Sequence, residues 1–171
     1  MINKVLMRTR RRIFCIIFAL IGLLLDSSVL PFTGLNMRYV PRVCAVNIIV
    51  IGIILGATQG IIYGAASGIL LDITVYQPAG LVAVLYTVLG LASGFISHRV
   101  KPMLVTVVPT LICLFLGELV MLAFYYFTSG VFPVSHLLPA LARIGIGFAL
   151  VQILYIPCLR ILKPSRIGKA R

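Results

Sequence analysis

The chain is a succession of long apolar runs separated by short polar or proline-bearing links. Ile13 to Leu30 is the first run, with Asp26 near its far end, and Pro31 to Arg42 is a link containing Pro31, Gly34, Asn36 and Pro41. Proline removes a backbone donor and restricts the residue before it, so a helix cannot continue cleanly through that link. Val43 to Ile73 follows, interrupted only by Asn47, Thr58, Gln59, Ser67 and Asp72. As one helix it would measure about 46 Å, well over the roughly 30 Å of a bilayer core. A break near Ala57, Thr58, Gln59 and Gly60 divides it into two short helices, either thin spans or a re-entrant hairpin. Beyond a loop from Thr74 to Ala79, Gly80 to Ser97 forms the next run, closed by His98, Arg99, Lys101 and Pro102. Met103 to Phe127 is long enough to tilt, with a bend expected at Pro109 and an interfacial aromatic end at Tyr125, Tyr126 and Phe127. A turn from Ser129 to Pro133 leads to the last run, His136 to Leu162, which contains Arg143 and Pro157.

Composition fixes the medium. Hydrophobic residues make up 61% and charged residues 11%, against about a quarter charged in soluble domains. The expected fold is an all-α integral membrane protein of six transmembrane helices, the second and third short, in one polytopic domain over 1–171. A basic arm (1–12) and a basic tail (163–171) flank the spans. The first run lacks a clear small-residue cleavage site and reads as a retained span. The four cysteines, Cys15, Cys44, Cys113 and Cys158, are scattered through apolar runs without metal or disulfide spacing.

Charge then orients the spans, because cytoplasmic loops are enriched in Lys and Arg. With six crossings and the N-terminus inside, the first arm places five basic residues in the cytoplasm, the Arg99/Lys101 loop two and the C-terminal arm, counted from Arg160, five, twelve of the fifteen. Five crossings would put the basic C-terminus outside, so charge favours the break near Thr58. Arg38, Arg42 and Arg143 fall in the outer half, and so do all three acids, Asp26, Asp72 and Glu118. The net charge of +12 is therefore expected on the cytoplasmic side, where it attracts anionic lipids. Nucleic acid is not an expected partner, since basic segments flanking spans are the norm in membrane proteins.

Two features stand out within the spans. Gly60, Gly64 and Gly68 recur at every fourth position and lead to Asp72 on the same ridge. Residues four apart stack on a helix face, so the glycines make a groove of bare backbone suited to close helix contact, internal or with a partner. Glu118 and Arg143 are intramembrane charges on consecutive spans joined by a short turn, and a pair between them would relieve much of the cost of either alone. Asp72 is expected to accept hydrogen bonds from the loop before Gly80 or to pair with Arg38 or Arg42. No catalytic constellation, nucleotide loop or metal motif accompanies these residues; the histidines, His98 and His136, fall on opposite sides of the membrane.

The ridge Gly60, Gly64, Gly68 and Asp72, followed by Gly80, Ala83 and Tyr86, resembles the signature of the MreD family of rod shape-determining membrane proteins. The proline–glycine link after the first span and the six-span plan are similar too, with departures at Asp26 and Arg42. The resemblance implies a non-enzymatic, cofactor-free scaffold in the bacterial cytoplasmic membrane, with both chain ends cytoplasmic. It also implies binding to MreC and, through it, to RodA and its transpeptidase partner, with MreB reached indirectly. The implied fold is similar to the substrate-binding subunits of energy-coupling-factor transporters. That likeness supplies a second reading, a vitamin-type transporter subunit, which requires a polar pocket opening outward. A third, an ion or proton carrier, rests on Asp72, Glu118 and Arg143 alone.

Overall fold

The computed structural model describes residues 2–29, 42–74, 80–100, 104–130 and 134–162. Arg38, most of the first link, Lys101 and the tail 163–171 lie outside the described residues. Among the described residues six α-helices follow one another: α1 (Ile2–Leu24), α2 (Val43–Leu55), α3 (Ala57–Thr74), α4 (Leu81–Arg99), α5 (Val107–Ser129) and α6 (Val134–Leu162). Three of them, α4, α5 and α6 from His136 onward, are long and apolar enough to cross a membrane, and Ile13–Ser27 and Val43–Leu55 are shorter apolar stretches.

α1 starts at Ile2, so the expected basic arm is helical and continuous with the first span. Its Leu, Met, Lys and Arg residues are good helix formers, and nothing in 2–12 breaks the helix. At its other end a π-helical turn, Leu25–Val29, carries Asp26. The break expected near Thr58 falls at Gly56. This residue has φ 98°, a left-handed conformation that favours glycine, and its N–H closes α2 on the Gly52 carbonyl at 2.8 Å. The two helices so divided measure about 20 and 27 Å. Pro109 does not bend a span as expected. It sits in the first turn of α5, where a helix has no intrahelical acceptor for its amide, so a missing N–H costs nothing.

α2 is the centre of the bundle. Its sequence, VCAVNIIVIGIIL, is apolar on every side, and every residue from Cys44 to Ile54 is buried, as expected for a helix with no solvent- or lipid-facing stripe. Around it the other helices form antiparallel pairs. α1 and α2 meet where the Asn47 amide of α2 donates to the Phe18 carbonyl at 2.9 Å. α5 and α6 meet at Glu118 and Arg143 and again where the Tyr125 and His136 rings lie 4.7 Å apart. α3 and α4 pack most closely, through the glycine ridge described below. Towards the opposite end, Cys15 of α1 lies near Cys158 of α6. That proximity sets the middle of α1 beside the last turns of α6.

Outward-facing positions are large and apolar, among them Ile13, Ile17, Leu24, Ile69, Val84, Phe95, Phe115, Leu141 and Ile153. In water such a surface would be an aggregation hazard; in lipid it is the solvated face.

Candidate functional site

Glycine on α3 meets backbone on α4. A Cβ added at Gly60 would collide with the Gly90 carbonyl, one at Gly64 with the Tyr86 carbonyl, and one at Gly68 with the Ala83 Cα. The fit is reciprocal, since a Cβ at Gly90 would strike Gly60 and one at Gly94 would strike Ala57. Over this whole length the two helices are separated by little more than their main chains, a spacing that only small residues allow. The structure therefore fills the Gly60–Gly64–Gly68 groove with the chain's own α4. The α4 half of this contact, Ala83, Tyr86, Gly90 and Gly94, was partly legible: Gly90 and Gly94 are spaced as the α3 glycines are. Gly52 of α2 joins from the other side, where a Cβ would meet Ser93 and lie 2.9 Å from the Gly90 carbonyl.

Asp72 ends the ridge by capping the next helix. Its Oδ2 accepts from the amides of Gly80 at 3.1 Å and Ala83 at 3.0 Å, and its Oδ1 accepts from Val82 at 3.2 Å. These are orphan donors at the start of α4, and Gly80 itself takes φ 97° to present them. Asp26 does the same for α2, accepting from Val43 and Cys44 at 2.8 Å each. The sequence signal for this second cap was present but unread: Gly22 precedes Asp26 by four residues as Gly68 precedes Asp72. A Cβ at Gly22 would lie 3.2 Å from the Cys44 Cα and collide with Asn47, just as one at Gly68 meets Ala83. Each hairpin is thus closed by the same device, a glycine that admits the partner helix and a carboxylate one turn later that caps it. Asp72→Ala should cost about 2 kcal/mol and Asp72→Asn about half that, because the amide keeps an acceptor but loses the charge assistance. Thermal unfolding of the detergent-solubilised protein should rank the unaltered chain as most stable, Asp72→Asn next and Asp72→Ala last.

Glu118 and Arg143 form a two-pronged ion pair, with Arg143 Nε donating to Oε1 at 2.9 Å and Nη2 to Oε2 at 2.6 Å. Their side chains keep 19% and 21% of their surface exposed, and what they face is a cavity of about 40 Å³. Arg42, Tyr86, Leu85, Leu89, Leu114 and Met121 also line it. Tyr86 is fully buried, and its hydroxyl lies beside the Arg42 side chain. Of the predicted site residues, Arg42, Tyr86, Glu118 and Arg143 are thus gathered around one cavity. Asp72 and Gly80 are not part of its lining; Asp26 stands behind Arg42 on the α2 amides.

This cavity lends the transporter-subunit reading no support. Small-molecule sites occupy roughly 300 Å³ or more, and this cavity, lined by described residues, offers about 40 Å³. The carrier reading loses its line of residues, since Asp72 is spent on amides away from the Glu118–Arg143 pair. Among the described residues, no group of three His, Cys, Asp or Glu side chains is placed to hold a metal ion.

The fold and its buried polar groups define a multi-pass helical membrane protein whose three acids cap helices (Asp26, Asp72) or pair with Arg143 (Glu118). Its family is shown directly: the model for the rod shape-determining protein MreD matches residues 7–163, and the chain belongs to the MreD family. No curated protein and no solved structure matches the chain, and the implied likeness to energy-coupling-factor subunits is not shown.

Proposed function

We propose that this chain is a non-enzymatic scaffold of the bacterial cell-elongation machinery in the cytoplasmic membrane. It binds MreC and thereby helps couple peptidoglycan synthesis by RodA and its transpeptidase partner to the MreB filament. The observation that carries this reading is the family match across nearly the whole chain. The arrangement agrees with it in kind: Asp26, Asp72, Glu118 and Arg143 are all engaged in holding helices together. A scaffold needs a rigid body and an outer surface, and this bundle supplies both.

One part of the expected docking surface moves. The glycine ridge is filled by α4, so its role here is to build the platform, and MreC's span is assigned to another face. Affinity purification of the tagged full chain from native membranes tests the scaffold. MreC should co-purify in near-stoichiometric amount, and a preparation free of every elongation protein would contradict the reading. At the cytoplasmic side, Arg99 stacks over the Phe95 ring at 4.9 Å, within the range of a cation–π contact. The basic segments beside it are proposed to hold anionic lipid. Binding of the purified chain to vesicles should rise with anionic lipid content and fall with salt.

A further inference from the structure

The first helix carries a charge pattern that the packing of the spans does not use. α1 runs unbroken from Ile2 to Leu24, so residues 2–12 extend the first span as a rigid helix about 16 Å long. Counted along the helical repeat, Lys4, Arg8 and Arg11 fall on the face of the buried Cys15, Ala19 and Gly22. Ile2, Leu6 and Thr9 fall on the opposite face, that of Ile13, Ile17, Leu20 and Leu24, which is exposed on the outside of the bundle. Arg10 and Arg12 flank this outward face, in register with the exposed Ile21 and Ile16. Cys15 lies beside Tyr63 of α3 and Cys158 of α6. The face of Lys4, Arg8 and Arg11 therefore continues past the ends of those two helices, where Arg160 adds another charge. The chain offers no acid to neutralise it. Asp26 stands about 22 Å further along α1, Asp72 caps α4 and Glu118 is paired with Arg143.

We infer that the Lys4–Arg8–Arg11 face is the docking site for an acidic helical segment of a cytoplasmic protein. The inference deepens the scaffold reading, on which it rests, by naming the chemistry of its cytoplasmic contact. Lipid accounts for the outward charges, since Arg10 and Arg12 stand where anionic headgroups surround the bundle. The inner face lies instead below the protein's own cross-section, where α3 and α6 take the place of headgroups. A helix built for the bilayer surface lies in its plane with the apolar side down. This one is held along the first span by the continuous hydrogen bonding of α1. Its basic positions at i, i+4 and i+7 recur once per turn over about 10 Å, and so match carboxylates spaced one turn apart on a partner helix. Two of the three are arginines, whose planar fork suits a carboxylate.

The test uses the full chain in nanodiscs of zwitterionic phospholipid and a labelled helical peptide with glutamates at i, i+4 and i+7. The peptide should bind, more weakly as salt rises, and its glutamine counterpart should not. The double variant Arg8→Gln, Arg11→Gln should raise the Kd about tenfold. Arg10→Gln with Arg12→Gln removes the same charge from the lipid side and should raise it no more than about threefold. Arg8→Lys with Arg11→Lys keeps the charge that orients the first span, and should bind better than the glutamine pair if that pair inserts poorly. In native membranes, a photo-reactive residue at Met7 should yield a peptide adduct rich in Asp and Glu, reduced by Arg8→Gln with Arg11→Gln. Equal losses from the two glutamine pairs, no preference for glutamate over glutamine, or adducts with phospholipid alone would each overturn the inference. Those results leave the scaffold standing as long as MreC co-purifies with the unaltered chain; if it does not, the scaffold reading falls and takes the inference with it.

Discussion

Gly64→Leu should abolish the folded protein. The Cβ alone would occupy the position of the Tyr86 carbonyl, and that obstacle is main chain on a helix that Asp72 pins at its start. Side-chain rotation cannot relieve it. Separating α3 from α4 by the width of a leucine would also pull Gly90 from Gly60 and open the face that α4 presents to α2. Overpacking a well-filled core costs about 1–3 kcal/mol when flexible side chains yield; here backbone must yield, and a loss at the upper end or beyond is expected. Marginal stability makes that a large share of the total. The readout is monodisperse elution and thermal unfolding in detergent with no partner present, which separates a folding defect from a binding defect. Normal elution and unchanged unfolding in both Gly64→Leu and Gly68→Leu would remove the ridge from the core.

Glu118→Ala is the second large effect. It leaves Arg143 as a partly buried cation with neither of its carboxylate contacts. Breaking a buried pair on one side costs about 3–5 kcal/mol, and the remaining 21% exposure of Arg143 argues for the lower end. Arg143→Ala should behave alike, whereas the exchange Glu118→Arg with Arg143→Glu should recover much of the loss, because it restores opposite charges at the same depth. Replacing both by methionine should also be milder than either single change, since it leaves no lone charge. Thermal unfolding of the two alanine variants and their double combination, set against the unaltered chain, gives the coupling between the two positions. Coupling near zero would mean that the contact contributes little to stability.

Much of this was legible from residue spacing. Apolar runs separated by Pro and Gly links mark the helices because their lengths match a bilayer. The break between α2 and α3 was readable from an apolar stretch too long for one span. Its position was less so: polar Thr58 and Gln59 drew attention, while the turn falls at Gly56, where a positive φ is needed. Pro109 misled in the opposite direction, because proline kinks a helix only beyond the first turn. The α3 ridge was visible, yet which surface fills it depends on α4 folding back across the Gly80 turn, a tertiary fact that no local pattern contains. Arg42 and Tyr86 are distant in sequence from Glu118 and Arg143, and only the packing of α2, α4, α5 and α6 brings them to one cavity. The double use of a glycine and an aspartate four residues apart was in plain view at Gly22 and Asp26, but the first link is long enough to hide its likeness to the second.

All of these contacts belong to one proposed arrangement, six helices of alternating direction with the two chain ends on the same, cytoplasmic face. Reporter fusions after residues 36, 76, 131 and 171 test it most directly. The first three positions should report the outer face and the last the cytoplasm. A fusion at 171 reporting the outer face, with the basic first arm inside, would contradict the arrangement and every pairing drawn from it.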